Sequence, residues 1–114
     1  MRPWPTSLSP MPDVIHIANV ADVPEGTMRR FSIPGRAPIF IANIGGTYRA
    51  ADDTCTHAQA SLSAGQLVDG CVECPRHGYR FDLTTGAVKS LPAVQPLRTY
   101  PVTVRGNGLY ITVQ

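Results

Sequence analysis

Apolar and polar residues alternate along this chain in short runs of period two, and each run stops at glycine, proline or a glycine-containing pair. Residues 14–18 read as a first strand, and residues 27–33 as a second that ends at Pro34-Gly35. Residues 39–42 and 47–51 flank Gly45-Gly46 and predict a hairpin. Residues 66–68 and 71–73 flank Asp69-Gly70, the strongest two-residue hairpin signal in the chain. Two further hairpins are expected, one of residues 79–82 and 87–90 about Thr85-Gly86, the other of 98–105 and 109–113 about Gly106-Asn107-Gly108. Pro101 falls inside the run 98–105 and marks an edge strand or a bulge there, because proline cannot donate to a ladder. Only residues 58–64 have the composition of a helical turn. The class is all-β, a small sandwich or barrel-like stack of antiparallel sheets.

Composition narrows the picture. Ten glycines and eleven prolines in 114 residues argue against a helical bundle. Leu, Ile, Val and Phe make up about 24% of the chain, enough to fold one domain around a thin core. A net charge of +2 is too weak for a nucleic-acid binder, and no apolar run approaches the roughly 18 residues of a membrane span. Residues 1–12 hold Pro3, Pro5, Pro10 and Pro12 without the apolar stretch of a signal peptide. They are expected to be a disordered tail before a domain spanning 13–114. Three cysteines fit poorly with a disulfide framework and point to metal or redox chemistry in a reducing, cytoplasmic compartment.

Four residues form one constellation. Cys55-Thr56-His57 is followed, sixteen residues on, by Cys74-Pro75-Arg76-His77. With three Cys and three His in the chain, both spacings arise together by chance in under about 1% of cases. Each pair follows a predicted strand, so two loops projecting side by side could hold one metal between them. Two Cys and two His suit tetrahedral zinc. They equally suit a [2Fe–2S] cluster with two thiolates on one iron and two imidazoles on the other. Zinc sites usually group like ligands, whereas each loop here carries one Cys and one His, which favours the two-iron centre.

Cys55-Thr56-His57, Cys74-Pro75-Arg76-His77-Gly78, Phe81-Asp82 and Thr85-Gly86 together resemble the Rieske-type [2Fe–2S] ferredoxins of bacterial aromatic-ring dioxygenase systems. Ser90-Leu91-Pro92-Ala93, Pro96-Leu97 and Thr99-Tyr100-Pro101-Val102 extend the likeness to the family's proline loop and last strands, so it covers about residues 14–113. The resemblance implies a Rieske fold of three stacked antiparallel sheets, with a two-loop cluster-binding subdomain at about 53–63 and 73–82 and a proline loop at about 90–97. It implies Cys55 and Cys74 on the inner iron, and His57 and His77 on the outer one. It further implies a monomeric one-electron carrier, not itself an enzyme, between a flavin-dependent ferredoxin reductase and a terminal oxygenase. The rival readings are the small subunit of a cytoplasmic nitrite reductase and a zinc-stabilised interaction module.

Respiratory Rieske proteins carry an extra cysteine in each loop. Ala60 and Arg76 stand at those positions here, so the bracing disulfide is absent. Tyr79 and Phe81 stand where the respiratory type has a Ser and a Tyr that donate hydrogen bonds to sulfur. Losing those bonds lowers the potential towards the low end of the Rieske range, about −150 mV. Of the other chemistry-bearing residues, Cys71 makes a C-x-x-C with Cys74, but strand alternation points it away, as a thiol that binds no metal. His16 is read as a surface residue on an edge strand. Arg76 and Arg80 are solvated arginines or a docking contact for an acidic partner. Asp52-Asp53 is loop chemistry without a catalytic base, and no pocket is expected.

Overall fold

The run Ile39-Phe40-Ile41-Ala42 is apolar at every position rather than every second one, the pattern of a strand buried on both faces. That strand is the centre of the fold. The computed structural model describes residues 13–55, 60–76, 79–89 and 96–113. Among them the chain forms β1 (Asp13–Asn19), β2 (Met28–Phe31), β3 (Ile39–Ile44), β4 (Thr47–Asp52) and β5 (Gln66–Val68). It continues with β6 (Cys71–Glu73), β7 (Arg80–Asp82), β8 (Thr99–Tyr100), β9 (Val102–Arg105) and β10 (Gly108–Val113). They make three antiparallel sheets, ordered β1-β10-β9, β2-β3-β4-β8 and β5-β6-β7. The all-β expectation holds.

Alternation along β3 and β4 divides the core in two. Ile39, Ile41 and Ala50 pack with Leu109, Ile111 and Val113 of the first sheet. Phe40, Ala42 and Ala51 pack with Val72, Phe81 and Leu83 of the third-sheet region. The second sheet is therefore the middle layer, and each outer sheet covers one of its faces. The hairpins at Gly45-Gly46 and Asp69-Gly70 form as expected. Gly45 and Gly46 have φ of 61° and 90°, and Asp69 and Gly70 of 51° and 78°, the two positive values that a two-residue type I′ turn requires.

Three expectations are corrected. Residues 98–105 are not one strand. Residues 99–100 pair with β4, and residues 102–105 pair with β10 in a different sheet. Pro101 sits at the crossing, where its missing N–H ends one ladder and its carbonyl accepts from Thr112 N–H at 3.0 Å. Residues 87–89, the described part of the limb 87–90, do not form a strand. They are held by one Phe81–Val88 bridge and by Asp82 N–H to Ala87 O and Lys89 N–H to Arg80 O, both 2.8 Å. The Asp82 carboxylate instead caps the turn by accepting from Thr84 N–H at 2.7 Å, which holds its pKa below the ordinary carboxylate value. The second strand stops at Phe31, short of Ile33.

His16 stands exposed on β1, the edge of the first sheet, with its ring 4.9 Å from that of Tyr110. The helical turn expected in 58–64 is a single 3-10 turn at Leu62–Ala64. No helix among the described residues is long and apolar enough to cross a membrane. The tail 1–12, His57, His77 and residues 90–95 of the proline loop lie outside the described residues.

Candidate metal centre

Strand β4 runs out at Asp52, and the chain then makes a loop whose stem is the antiparallel bridge between Thr54 and Ser61. Cys55 opens the loop, and its N–H donates to Ala60 O at 2.8 Å. Strand β6 runs out at Glu73, opposite Arg80. Cys74 opens the second loop, and its N–H donates to Tyr79 O at 2.7 Å. Residues 55–60 and 74–79 are thus loops of equal span, closed by the same bond, each beginning with a cysteine. The histidines of the motif fall at the third position of one and the fourth of the other.

Both cysteines turn inward. Cys55 is 0% and Cys74 1% exposed, and both belong to the apolar cluster that holds Leu62, Val72, Tyr79, Phe81 and Leu83. Two sequence-distant thiols therefore sit in one buried apolar cluster, each at the root of a loop that carries a histidine further on. Burying two thiolates without a counter-charge is costly, so such a pair suits a metal that takes their charge. Two buried cysteine sulfurs fit the thiolate side of a two-iron cluster.

Cys71 is set apart from this pair. It lies in β6 with Val72 between it and the loop side, opposite Asp82, and belongs to neither core cluster. Burial first, and the Asp82 carboxylate second, push its thiol pKa up, which makes it a poor ligand or nucleophile. None of the three cysteines is in a disulfide. Phe81 is fully buried in the cluster that contains Cys55 and Cys74, and Tyr79 is buried there too. Of the two arginines flanking the second loop, Arg80 is engaged, its Nε 3.0 Å from Glu73 Oε2, while Arg76 is exposed.

The pair Asp52-Asp53 does more than the sequence suggests. Tyr100 OH donates to Asp52 Oδ1 at 2.5 Å and joins β8 to the end of β4. Asp53 is 1% exposed, and its carboxylate accepts from Ser61 Oγ at 2.5 Å and Ser63 N–H at 2.9 Å. The nearest sequence hint was the position of a carboxylate two residues before a ligand-type cysteine. The expectation of no pocket is also corrected. A groove of about 580 Å³ opens where β8 leaves β4, between Tyr48, Arg49, Leu83, Tyr100, Val102 and Val104. Among the described residues, none of either cysteine loop lines it.

The Rieske [2Fe–2S] domain model matches residues 13–101. The ferredoxin subunit of 3-phenylpropionate/cinnamic acid dioxygenase from Escherichia coli strain K12 is 45% identical over 98 residues, covering 85% of this chain and 91% of its own. The ferredoxin component of biphenyl 2,3-dioxygenase from Rhodococcus jostii RHA1 is 41% identical over 98 residues, covering 86% and 91%. Among solved structures, a complex of reduced oxygenase and oxidised ferredoxin in carbazole 1,9a-dioxygenase contains a chain similar to this one. The two share a TM-score of 0.80 and 37% identity over 86% of this chain and 91% of that one. Proteins described as nitrite reductase small subunits share the fold at 15% and 22% identity, a likeness that speaks to fold alone.

Proposed function

The chain belongs to the Rieske [2Fe–2S] family and carries one Rieske-type cluster, and from that premise we propose that it is the ferredoxin of a multicomponent aromatic-ring dioxygenase. The cluster supplies a one-electron couple. The chain's own residues hold it, shield it and present it. Cys55 and Cys74, buried at the loop roots, bind the inner iron, and His57 and His77 bind the outer one. The apolar wall of Leu62, Val72 and Phe81 excludes water from the sulfur side. Phe81 brings no hydroxyl to the sulfurs, which keeps the potential low, at about −150 mV.

Relatives named as dioxygenase ferredoxins support this reading over the nitrite reductase alternative. Its partners are a terminal oxygenase, a class seen with a ferredoxin in the carbazole complex, and a flavin-dependent reductase. The chain works as a monomer in the cytoplasm, the reducing compartment in which thiolate ligands persist.

The observation that carries the proposal is the seating of two loop-root cysteines in one apolar cluster. The test starts from purified protein, which is expected to contain two irons and two acid-labile sulfides per chain. Zinc, or iron without sulfide, would overturn the cluster. The chemically reduced protein is then mixed with the resting oxygenase of an aromatic dioxygenase and followed by its visible absorbance. Re-oxidation without added mediator is the expected result. Failure with the oxygenase, together with turnover alongside a nitrite reductase large subunit, would install the alternative.

A further inference from the structure

We propose that Asp53 is a positioning residue of the metal centre: its buried carboxylate ties together the two limbs of the loop 55–60 and so fixes where Cys55 presents its sulfur. The proposal rests on the cluster reading above. It starts from an oddity of energetics. Asp53 has a side chain only 2% exposed, and Arg30, which pairs with it through Nε at 3.3 Å, is 55% exposed. A carboxylate buried against a largely solvated arginine gains little stability over an apolar residue of similar volume. Stability alone does not explain it.

Its bonds do. Oδ2 accepts from Ser61 Oγ at 2.5 Å and Oδ1 from Ser63 N–H at 2.9 Å, both on the limb that returns from the loop. The main chain repeats the link, because Leu62 N–H donates to Asp53 O at 2.6 Å. Above these lie the Thr54–Ser61 bridge and the bond from Cys55 N–H to Ala60 O. The result is a zipped stem with Cys55 at its top. Behind it, Asp53 N–H donates to Pro38 O at 3.0 Å and anchors the stem to the chain entering β3.

The second loop shows why a side chain is needed in the first. Residues 74–79 spring from β6 and β7, which form a regular ladder through Cys71–Asp82, Val72–Phe81 and Glu73–Arg80. Among the described residues, backbone bonds carry the stem below Cys74, joined by the partly exposed Glu73–Arg80 ion pair. Among the described residues the first loop has no such ladder. Its outgoing limb leaves β4, but its returning limb passes from a single bridge at Ser61 straight into the 3-10 turn Leu62–Ala64. The Asp53 carboxylate stands in for the missing backbone pairs. It does so at a place where a loose stem would move a ligand by a fraction of an ångström, which a metal site does not tolerate.

The test compares Asp53→Ala, Asp53→Asn and Ser61→Ala with Ile111→Ala, a control in the other core cluster, all as cluster-loaded protein. The first readout is the rate at which visible absorbance is lost at urea concentrations matched to each variant's own unfolding midpoint. The second is the electron paramagnetic resonance spectrum of the reduced protein. Asp53→Ala is expected to lose its cluster about tenfold faster than the matched control, a factor equivalent to about 1.4 kcal/mol, and to shift the g-values. Asp53→Asn should recover most of both, because its Oδ1 still accepts from Ser63 N–H and its amide can donate to Ser61 Oγ. Equal loss rates for Asp53→Ala and the control, or an unshifted spectrum, would overturn the proposal. If Asp53→Ala does not fold, Ser61→Ala decides: a smaller change in the same direction supports the proposal, and wild-type behaviour overturns it. Iron and sulfide analysis of the wild type tests the cluster reading separately, so failure of one is not mistaken for failure of the other.

Discussion

Replacing Gly65 by alanine probes how tightly the second cysteine loop is held from below. Gly65 has φ of −89°, outside the left-handed region that favours glycine. Space makes the demand. A Cβ at this position would lie 1.9 Å from Glu73 O and 3.1 Å from Glu73 C, where real Cβ contacts stay above 3.0 Å. The carbonyl of Glu73 must therefore retreat by about 1.1 Å, which is backbone movement and not side-chain rotation. Glu73 pairs with Gln66 at the end of a ladder only three pairs long, and the next residue is Cys74.

Overpacking of this kind costs about 1–3 kcal/mol, and disturbing one terminal backbone pair adds about 1 kcal/mol. The alanine recovers about 0.4–1 kcal/mol through the less flexible unfolded chain. The net loss is about 1–3.6 kcal/mol, or about 0.5–2.4 M in the urea midpoint for a slope of about 1.5–2 kcal/mol/M. Gly26→Ala is the comparison. That site has open space for a Cβ but φ of +81°, so it should lose only about 1–2 kcal/mol. Equilibrium urea unfolding of loaded protein, followed by circular dichroism and visible absorbance, ranks the two. A Gly65→Ala midpoint equal to wild type would refute the close approach of Glu73 and the support it lends to Cys74.

Three other outcomes are expected. Tyr100 is pushed up to about 12, by desolvation first and by its hydrogen bond to Asp52 second, so the native state keeps its proton after the unfolded chain has lost it. Stability should therefore be full below about pH 10 and fall from there to about 12, and Tyr100→Phe should flatten that limb in urea midpoints measured against pH. Cys71→Ser should leave iron content and visible spectrum unchanged, while Cys55→Ser or Cys74→Ser should abolish assembly, because Cys71 is outside the cluster that holds the other two. Phe81→Tyr should raise the midpoint potential by on the order of 30–65 mV, about half of a charge-assisted hydrogen bond favouring the reduced state. Protein-film voltammetry reads the sign, and a zero or negative shift would mean that the added hydroxyl does not reach a sulfur.

What could be read from the sequence was whatever depends on near neighbours. The Asp69-Gly70 hairpin came out with its strand bounds unchanged, because a two-residue turn with both φ positive is a local demand that few residue pairs meet. Alternation along 71–74 was enough to separate Cys71 from Cys74, since successive side chains in a strand point to opposite faces. The spacing of Cys55, His57, Cys74 and His77 pointed to a metal centre for a similar reason: the candidate ligands come in near-neighbour pairs. Tertiary structure decided the rest. Pro101 announced an irregularity, but only the competing edges of β4 and β10 determine that the chain changes sheets there. Residues 87–89 had a strand's composition and no complete ladder to join. Asp53 looked like one half of a loop carboxylate pair until folding set Ser61 and Ser63 against it, eight and ten residues away. Local torsional preference and side-chain period are written residue by residue, whereas a partner across a loop, a sheet edge or a groove exists only once the layers have stacked.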